Sequence, residues 1–257
     1  MAVSERVPGR YDRLGVGYHQ TRQEDPRLAA RIHAALGHAR SVVNVGAGTG
    51  SYEPRGRAVV AVEPSAVMVA QRRAGAAPAV RGAAEALPFG AHRFDAAMAL
   101  WTIHHWADPG RGIAELRRVA RRAVIVTASD RLNELWLIRD YFPAIALRRP
   151  EIQPGHIAAL LGSSVRIEPF PVPRDCLDGF GEAFWAQPEA YLDPRIRAGI
   201  SAFALLDQAA LGRGLRQLRA DLRSGAWDAR NGYLRQLAEF DCGLRLIIAT
   251  GLDAGLG

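Results

Sequence analysis

Lysine is absent from the 257 residues, so all 33 basic side chains are arginine, set against 26 carboxylates for a formal charge of +7. A balance this basic invites nucleic acid or an anionic surface as partner. The arginines are scattered in pairs, however (Arg72-Arg73, Arg117-Arg118, Arg121-Arg122, Arg148-Arg149), and read as solvated faces instead of one nucleic-acid-binding stripe. Cysteine is nearly absent. Cys176 and Cys242 stand far apart with no Cys/His spacing, which excludes a disulfide framework and a zinc finger and fits a reducing, cytoplasmic setting. Long apolar runs are missing too: mean hydropathy is −0.06, and no membrane span is expected. The first thirty residues carry charge throughout and no apolar h-region, so no secretory leader is expected.

What is present is a regular alternation. Short β-branched or apolar runs at 41–45, 58–62, 79–81, 94–100 and 123–127 alternate with amphipathic stretches at 65–73 and 110–119, the latter with Ile113, Leu116 and Val119 on one face. Pro26 after Asp25 opens a helix over 26–36. This predicts a doubly wound, Rossmann-like α/β fold. Beyond 127 the pattern predicts helices over 132–146 and 155–161, then an edge strand over 165–173, whose prolines bar it from the middle of a sheet. A helical block follows over 177–239, and a closing strand over 244–249 completes a seven-stranded, mostly parallel sheet. The expected division is a core of residues 1–174 with 240–257 and an inserted helical cap of 175–239.

Two features carry chemistry. Val45-Gly46-Ala47-Gly48-Thr49-Gly50 follows the first strand directly, and glycine there lets the backbone turn and approach a ligand closely. Glu63 ends the second strand, where a carboxylate can accept from both hydroxyls of a ribose. Together they point to an adenosine-type ligand. The spacing is GxGxG without the later glycine of GxGxxG, and no Lys-Ser/Thr follows as in a P-loop.

In these segments the chain resembles the class I S-adenosylmethionine-dependent methyltransferases. The likeness continues in Gly82-Ala83-Ala84-Glu85-Ala86-Leu87-Pro88-Phe89, in Phe94-Asp95 through His104-His105-Trp106, and in Arg117-Arg118-Val119-Ala120-Arg121. Four motifs in order, from about Tyr11 to Ser129, place it nearest the small-molecule branch with the ubiquinone and menaquinone methyltransferases. The resemblance implies that Gly46, Ala47, Gly48 and Gly50 surround the amino-acid part of S-adenosylmethionine and that Glu63 holds its ribose. It implies Pro64, Ser65 and Met68 on the adenine side, Ala84 and Glu85 near the exocyclic amine, and Leu100-Trp101-Thr102 beneath the sulfonium. Tyr11, Tyr18 and Arg22 are candidates for its carboxylate, or else packing residues.

The expected reaction moves a methyl group to a small organic acceptor at a hydroxyl, giving S-adenosylhomocysteine. His104 and His105 are the candidates for proton handling, since imidazole titrates near neutrality; the alternative is that they only close the strand. His105, Trp185 and Tyr191 are candidates to contact the acceptor, with Asp175 or Asp178 as an anchor, although an aromatic stripe at helical spacing is more often core. No carboxylate cluster accompanies the histidines, so no metal is expected. Cys176 has no activating partner, and Asp95 reads as structural. An RNA methyltransferase is the rival the charge supports, but Trp101-Thr102-Ile103-His104 stands where amino-directed enzymes of the family carry Asn/Asp-Pro-Pro-aromatic. An NAD-dependent oxidoreductase is disfavoured by the loop spacing, and a non-catalytic S-adenosylmethionine-binding protein stays open. The expected partners are a small-molecule acceptor, no membrane, and at most a second copy of the chain: monomer or homodimer.

Overall fold

The β-branched runs lie side by side in a computed structural model that describes residues 22–162 and 164–252. Strands β1 (Ser41–Val45), β2 (Ala58–Val62), β3 (Ala79–Val80), β4 (Ala96–Leu100) and β5 (Arg122–Ala128) are all parallel, while β6 (Ser164–Pro169) and the late strand Leu244–Thr250 are antiparallel to each other. β1 pairs in register with β2 (Val43 with Val60) and with β4 (Val43 with Ala97). Both faces of these strands are covered, so they read as continuous Val, Ala and Ile runs without polar alternation.

Helix α1 (Pro26–Ala35) is capped by Asp25, which accepts from the Arg27 amide at 2.9 Å. Ser65 caps α2 (Ala66–Ala70), and Asp108 caps α3 (Pro109–Val119). α3 and α4 (Pro154–Leu161) bury Ile113, Leu116, Ile157 and Leu161 on one face of the sheet. The other face carries α1 together with Trp136, Tyr141, Phe142, Trp185, Tyr191, Leu218 and Trp227, all in one apolar cluster with Val42, Met98 and Val124.

Three expected elements change. The run 165–173 divides: β6 ends at Pro169, and β7 (Val172–Pro173) pairs with β8 (Glu239–Phe240) in a separate ribbon. A proline inside the run supplies no ladder donor, which ends the pairing. The stretch 132–146 forms no α-helix. It breaks into a 3-10 turn (Asp130–Glu134), a π turn (Leu137–Tyr141) and a second 3-10 turn (Pro143–Ile145), because Pro143 holds Phe142 out of the helical region at φ −133°, ψ 56°. The block 177–239 is mostly 3-10 turns and short helices: α5 (Pro194–Ala198), the long α6 (Gln208–Ser224) and α7 (Ala226–Asn231). Gly225, left-handed at φ 75°, terminates α6.

The late strand Leu244–Thr250, β9, lies between β5 and β6 and is antiparallel to both, giving the order β3-β2-β1-β4-β5-β9-β6. The order reverses between β1 and β4, so their carboxyl ends frame the crevice where doubly wound sheets hold ligands.

Candidate active site

A cavity of about 290 Å³ opens at that crevice. The chain turns at Gly46 (φ +70°), whose amide donates to Val62 O at 2.8 Å. A Cβ on Gly46 would stand 1.9 Å from Thr102 Oγ1, so the side-chain-free backbone is imposed by strand β4's continuation. Two residues on, the Gly48 amide donates to Glu63 Oε2 at 2.8 Å, and Glu63 Oε1 accepts from the Ser65 amide at 2.9 Å. The carboxylate is 6% exposed and lines the cavity, fixed by backbone donors on either side. Behind the loop, Glu53 accepts from Asn44 Nδ2, from Arg72 and from the Ala77 amide, an arrangement that braces the glycine turn.

Trp101 follows β4 in a left-handed conformation (φ +50°), as does Tyr52 after the glycine loop (φ +65°). Such conformations are uncommon for bulky residues and concentrate at ligand sites. The two rings lie 5.3 Å apart, and Trp101 also meets Phe180 at 5.2 Å. Tyr52 donates to Asp178 Oδ2 at 2.9 Å, and Arg22 donates to both Asp178 oxygens at 2.5 and 3.0 Å. Asp178 is thereby the buried junction of three separate chain segments. Burial, reinforced by the neighbouring Asp178 charge, pushes the Tyr52 phenol far above its ordinary pKa.

A second cavity of about 350 Å³ adjoins the first. Arg22, Trp101 and His105 line both. The second is otherwise walled by 127–132, 145–152, 180–182 and 199–205.

Among the residues singled out in the sequence, Arg22, Gly46, Ala47, Gly48, Glu63, Pro64, Met68, Ala84, Glu85, Leu100, Trp101, Thr102 and His105 line the first cavity. His104 lines only the second. Gly50 faces a separate cleft, and Ser65 turns away to cap α2 through the Met68 amide. Tyr11 and Tyr18 lie outside the described residues. Trp185 and Tyr191 line neither cavity; both are fully buried, donating to Val172 O and Gly181 O, because an aromatic stripe at helical spacing packs inward. Asp175 pairs with Arg27 at the surface. Burial pushes the Cys176 thiol up to about 12, which leaves it unreactive. Asp95 accepts from the Arg40 and Ser41 amides and anchors the start of β1. The sequence reading did not pick out Asn44, Tyr52, Trp106 or Ala107 in the first cavity, nor Glu182 and Arg148 in the second. The only advance signal among these is Glu182, a single acid inside the apolar run Phe180–Trp185.

Glycine cradle and paired backbone donors to a buried carboxylate together fit an adenosyl ligand. The comparisons agree. A methyltransferase domain family matches residues 43–127. Over 109 residues the chain is 38% identical to an uncharacterized methyltransferase of Mycobacterium tuberculosis, and equally to one of Mycobacterium bovis, covering 40% of this chain and 42% of theirs. The match therefore spans less than half the length of these curated relatives. A candidate methyltransferase from an antibiotic biosynthesis pathway of Anabaena variabilis is 34% identical and superposes with a TM-score of 0.81, over 90% of this chain and 99% of that one. A candidate methyltransferase of Bacillus halodurans shares the fold alone, at 15% identity and a TM-score of 0.51, over 87% of this chain and 98% of that one.

This chain belongs to the class I S-adenosylmethionine-dependent methyltransferases. Its cofactor is S-adenosylmethionine, with S-adenosylhomocysteine as product. Among the described residues no helix is long and apolar enough to cross a membrane, and no group of three metal-ligating side chains converges.

Proposed function

We propose that the protein methylates a small organic acceptor at a hydroxyl, with cofactor in the first cavity and acceptor in the second. The observation that carries this reading is the adjacency of the two cavities through Arg22, Trp101 and His105. When bound, S-adenosylmethionine supplies an electrophilic methyl on a sulfonium. Glu63 accepts from the ribose hydroxyls, the Gly46–Thr49 backbone surrounds the amino-acid part with Arg22 toward its carboxylate, and Pro64, Met68, Ala84 and Glu85 border the adenine. Trp101 and Thr102 form the floor at the point of transfer. His105, present in both cavities, is a group placed to take a proton, with the His104 ring tilted against it at 3.8 Å between ring centroids. In this reading residues 1–174 and 240–257 bind the cofactor, and 175–239 select the acceptor together with the 127–152 stretch that walls the second cavity. Alignment of acceptor and methyl in a site sheltered from water supplies most of the acceleration.

Calorimetric titration with S-adenosylmethionine, S-adenosylhomocysteine, NAD and NADP tests the reading, repeated on Glu63→Ala. The two adenosyl-sulfur ligands alone should bind, and the substitution should weaken them by about tenfold or more, as expected for the loss of charge-assisted hydrogen bonds. Binding of a nicotinamide dinucleotide instead overturns it.

A further inference from the structure

The second cavity has apolar walls, among them Ile145, Leu147, Ile152, Phe180, Ile200 and Leu205. Its charged members are unequal. Arg22 is matched by Asp178, and Arg149 by Glu151 at 2.6 Å and by the His104 carbonyl at 2.9 Å. Arg148 is exposed at the cavity, and among the described residues no acid or hydrogen-bond acceptor engages its guanidinium. Among the described residues Glu182 is the one acid that lines the cavity. No other side chain among the described residues pairs with its carboxylate; its carbonyl meets Cys242 Sγ at 3.9 Å.

We propose that this cavity takes an apolar hydroxy acid, its hydroxyl donating to Glu182, which in place of His105 takes the proton as the methyl is transferred, and its carboxylate resting against Arg148 at the mouth. The inference deepens the methyltransferase reading and rests on it. Beyond its own backbone amide the Glu182 carboxyl has no donor among the described residues, and a ligand hydroxyl provides one. An amine is the other group a carboxyl attracts, but Arg148, with no acid of its own, borders the same space, and a cationic acceptor would meet its charge. Phe180, two residues before Glu182, packs against Trp101, which lines both cavities, whereas Arg148 is exposed to solvent. Burial raises the Glu182 carboxyl above the usual glutamate range, with its own backbone amide and Arg22 opposing.

The test is calorimetry, with S-adenosylhomocysteine saturating, of four matched probes: para-hydroxyphenylpropionate, para-ethylphenol, tyramine and para-methoxyphenylpropionate. The hydroxy acid should bind tightest, para-ethylphenol about fivefold weaker for loss of one exposed ion pair, and tyramine weaker still. Arg148→Gln should abolish the advantage of the hydroxy acid over para-ethylphenol. Glu182→Ala should weaken the three phenols about fivefold and leave the methoxy probe unchanged, while Glu182→Gln restores them. The proposal is overturned if tyramine equals or exceeds the hydroxy acid, if Arg148→Gln leaves the ranking intact, or if no probe binds while S-adenosylhomocysteine does. Should Glu182→Ala not fold, Arg148→Gln, at an exposed position, decides alone. Failure of S-adenosylhomocysteine itself to bind defeats the underlying reading instead, and the acceptor assignment with it.

Discussion

At Gly46 the volume a methyl group would need is already filled by Thr102, and the backbone is left-handed as well. Gly46→Ala should therefore destabilise the protein by about 1–3 kcal/mol and abolish S-adenosylhomocysteine binding, read by thermal unfolding and calorimetry on one preparation. Asp178 presents the opposite case, a buried charge whose partners converge on it. Asp178→Ala removes the carboxylate to which the Arg22 guanidinium and the Tyr52 hydroxyl both donate, with little solvent to replace the lost acceptor. A loss of about 3 kcal/mol is expected in urea unfolding, whereas Tyr52→Phe, which removes one neutral hydroxyl that donates to Asp178 and accepts from the Asp25 amide, should cost about 1–2 kcal/mol. The glycines and Glu63 were legible in the sequence because they sit at strand ends, where spacing alone fixes position. Asp178 and Tyr52 were not, since their roles arise from segments 126 positions apart meeting in space.

The start of α1 shows how a single cap ties two elements. Asp25 accepts from the Arg27 amide and side chain and from the Leu177 amide, joining the helix to the segment that leads into the second cavity's wall. Burial, the largest influence, raises its carboxyl, but those donors together outweigh it and hold the group at about 2, against 3.8 when unperturbed. A depressed native value means the stabilisation is complete above about pH 4 and is lost as pH falls toward 2. The urea midpoint should accordingly fall with acidification from pH 5 to 3, and Asp25→Asn should flatten that part of the curve. Among elements, β1, β2, β4, β5 and β9 were readable because strands buried on both faces need only β-branched and small apolar residues in short runs. The stretch 132–146 was not, because its apolar spacing is helical while Pro143 forbids the helix. The tertiary packing of Trp136, whose indole donates to Trp185 O at 2.8 Å, holds it as successive tight turns instead.

Across the whole molecule, one apolar cluster contains Leu28 and Ile32 of α1, Met98 and Val124 of the sheet, and Trp185, Leu218 and Trp227 from the 175–239 region. Neither the sheet face nor the later segments can bury these side chains separately. Differential scanning calorimetry should show one cooperative transition, with calorimetric and van't Hoff enthalpies equal; two resolved peaks would mean that the 175–239 region melts on its own. That shared core was hidden in the sequence, where the region reads as an insertion between late strands and nothing marks which sheet face receives it.

The place of β9 also governs how the molecule can assemble on the ribosome. Since β9 lies between β5 and β6 yet is made after both, β6 has no sheet partner and β5 keeps an open edge until residue 250 has emerged. During that interval the nascent chain exposes backbone donors and acceptors along Arg122–Ala128, a template for wrong pairing with another chain. A strand translated after both of its neighbours is thus the one that closes the sheet's interior, and a ribosome stalled before it holds a half-built sheet with an adhesive edge.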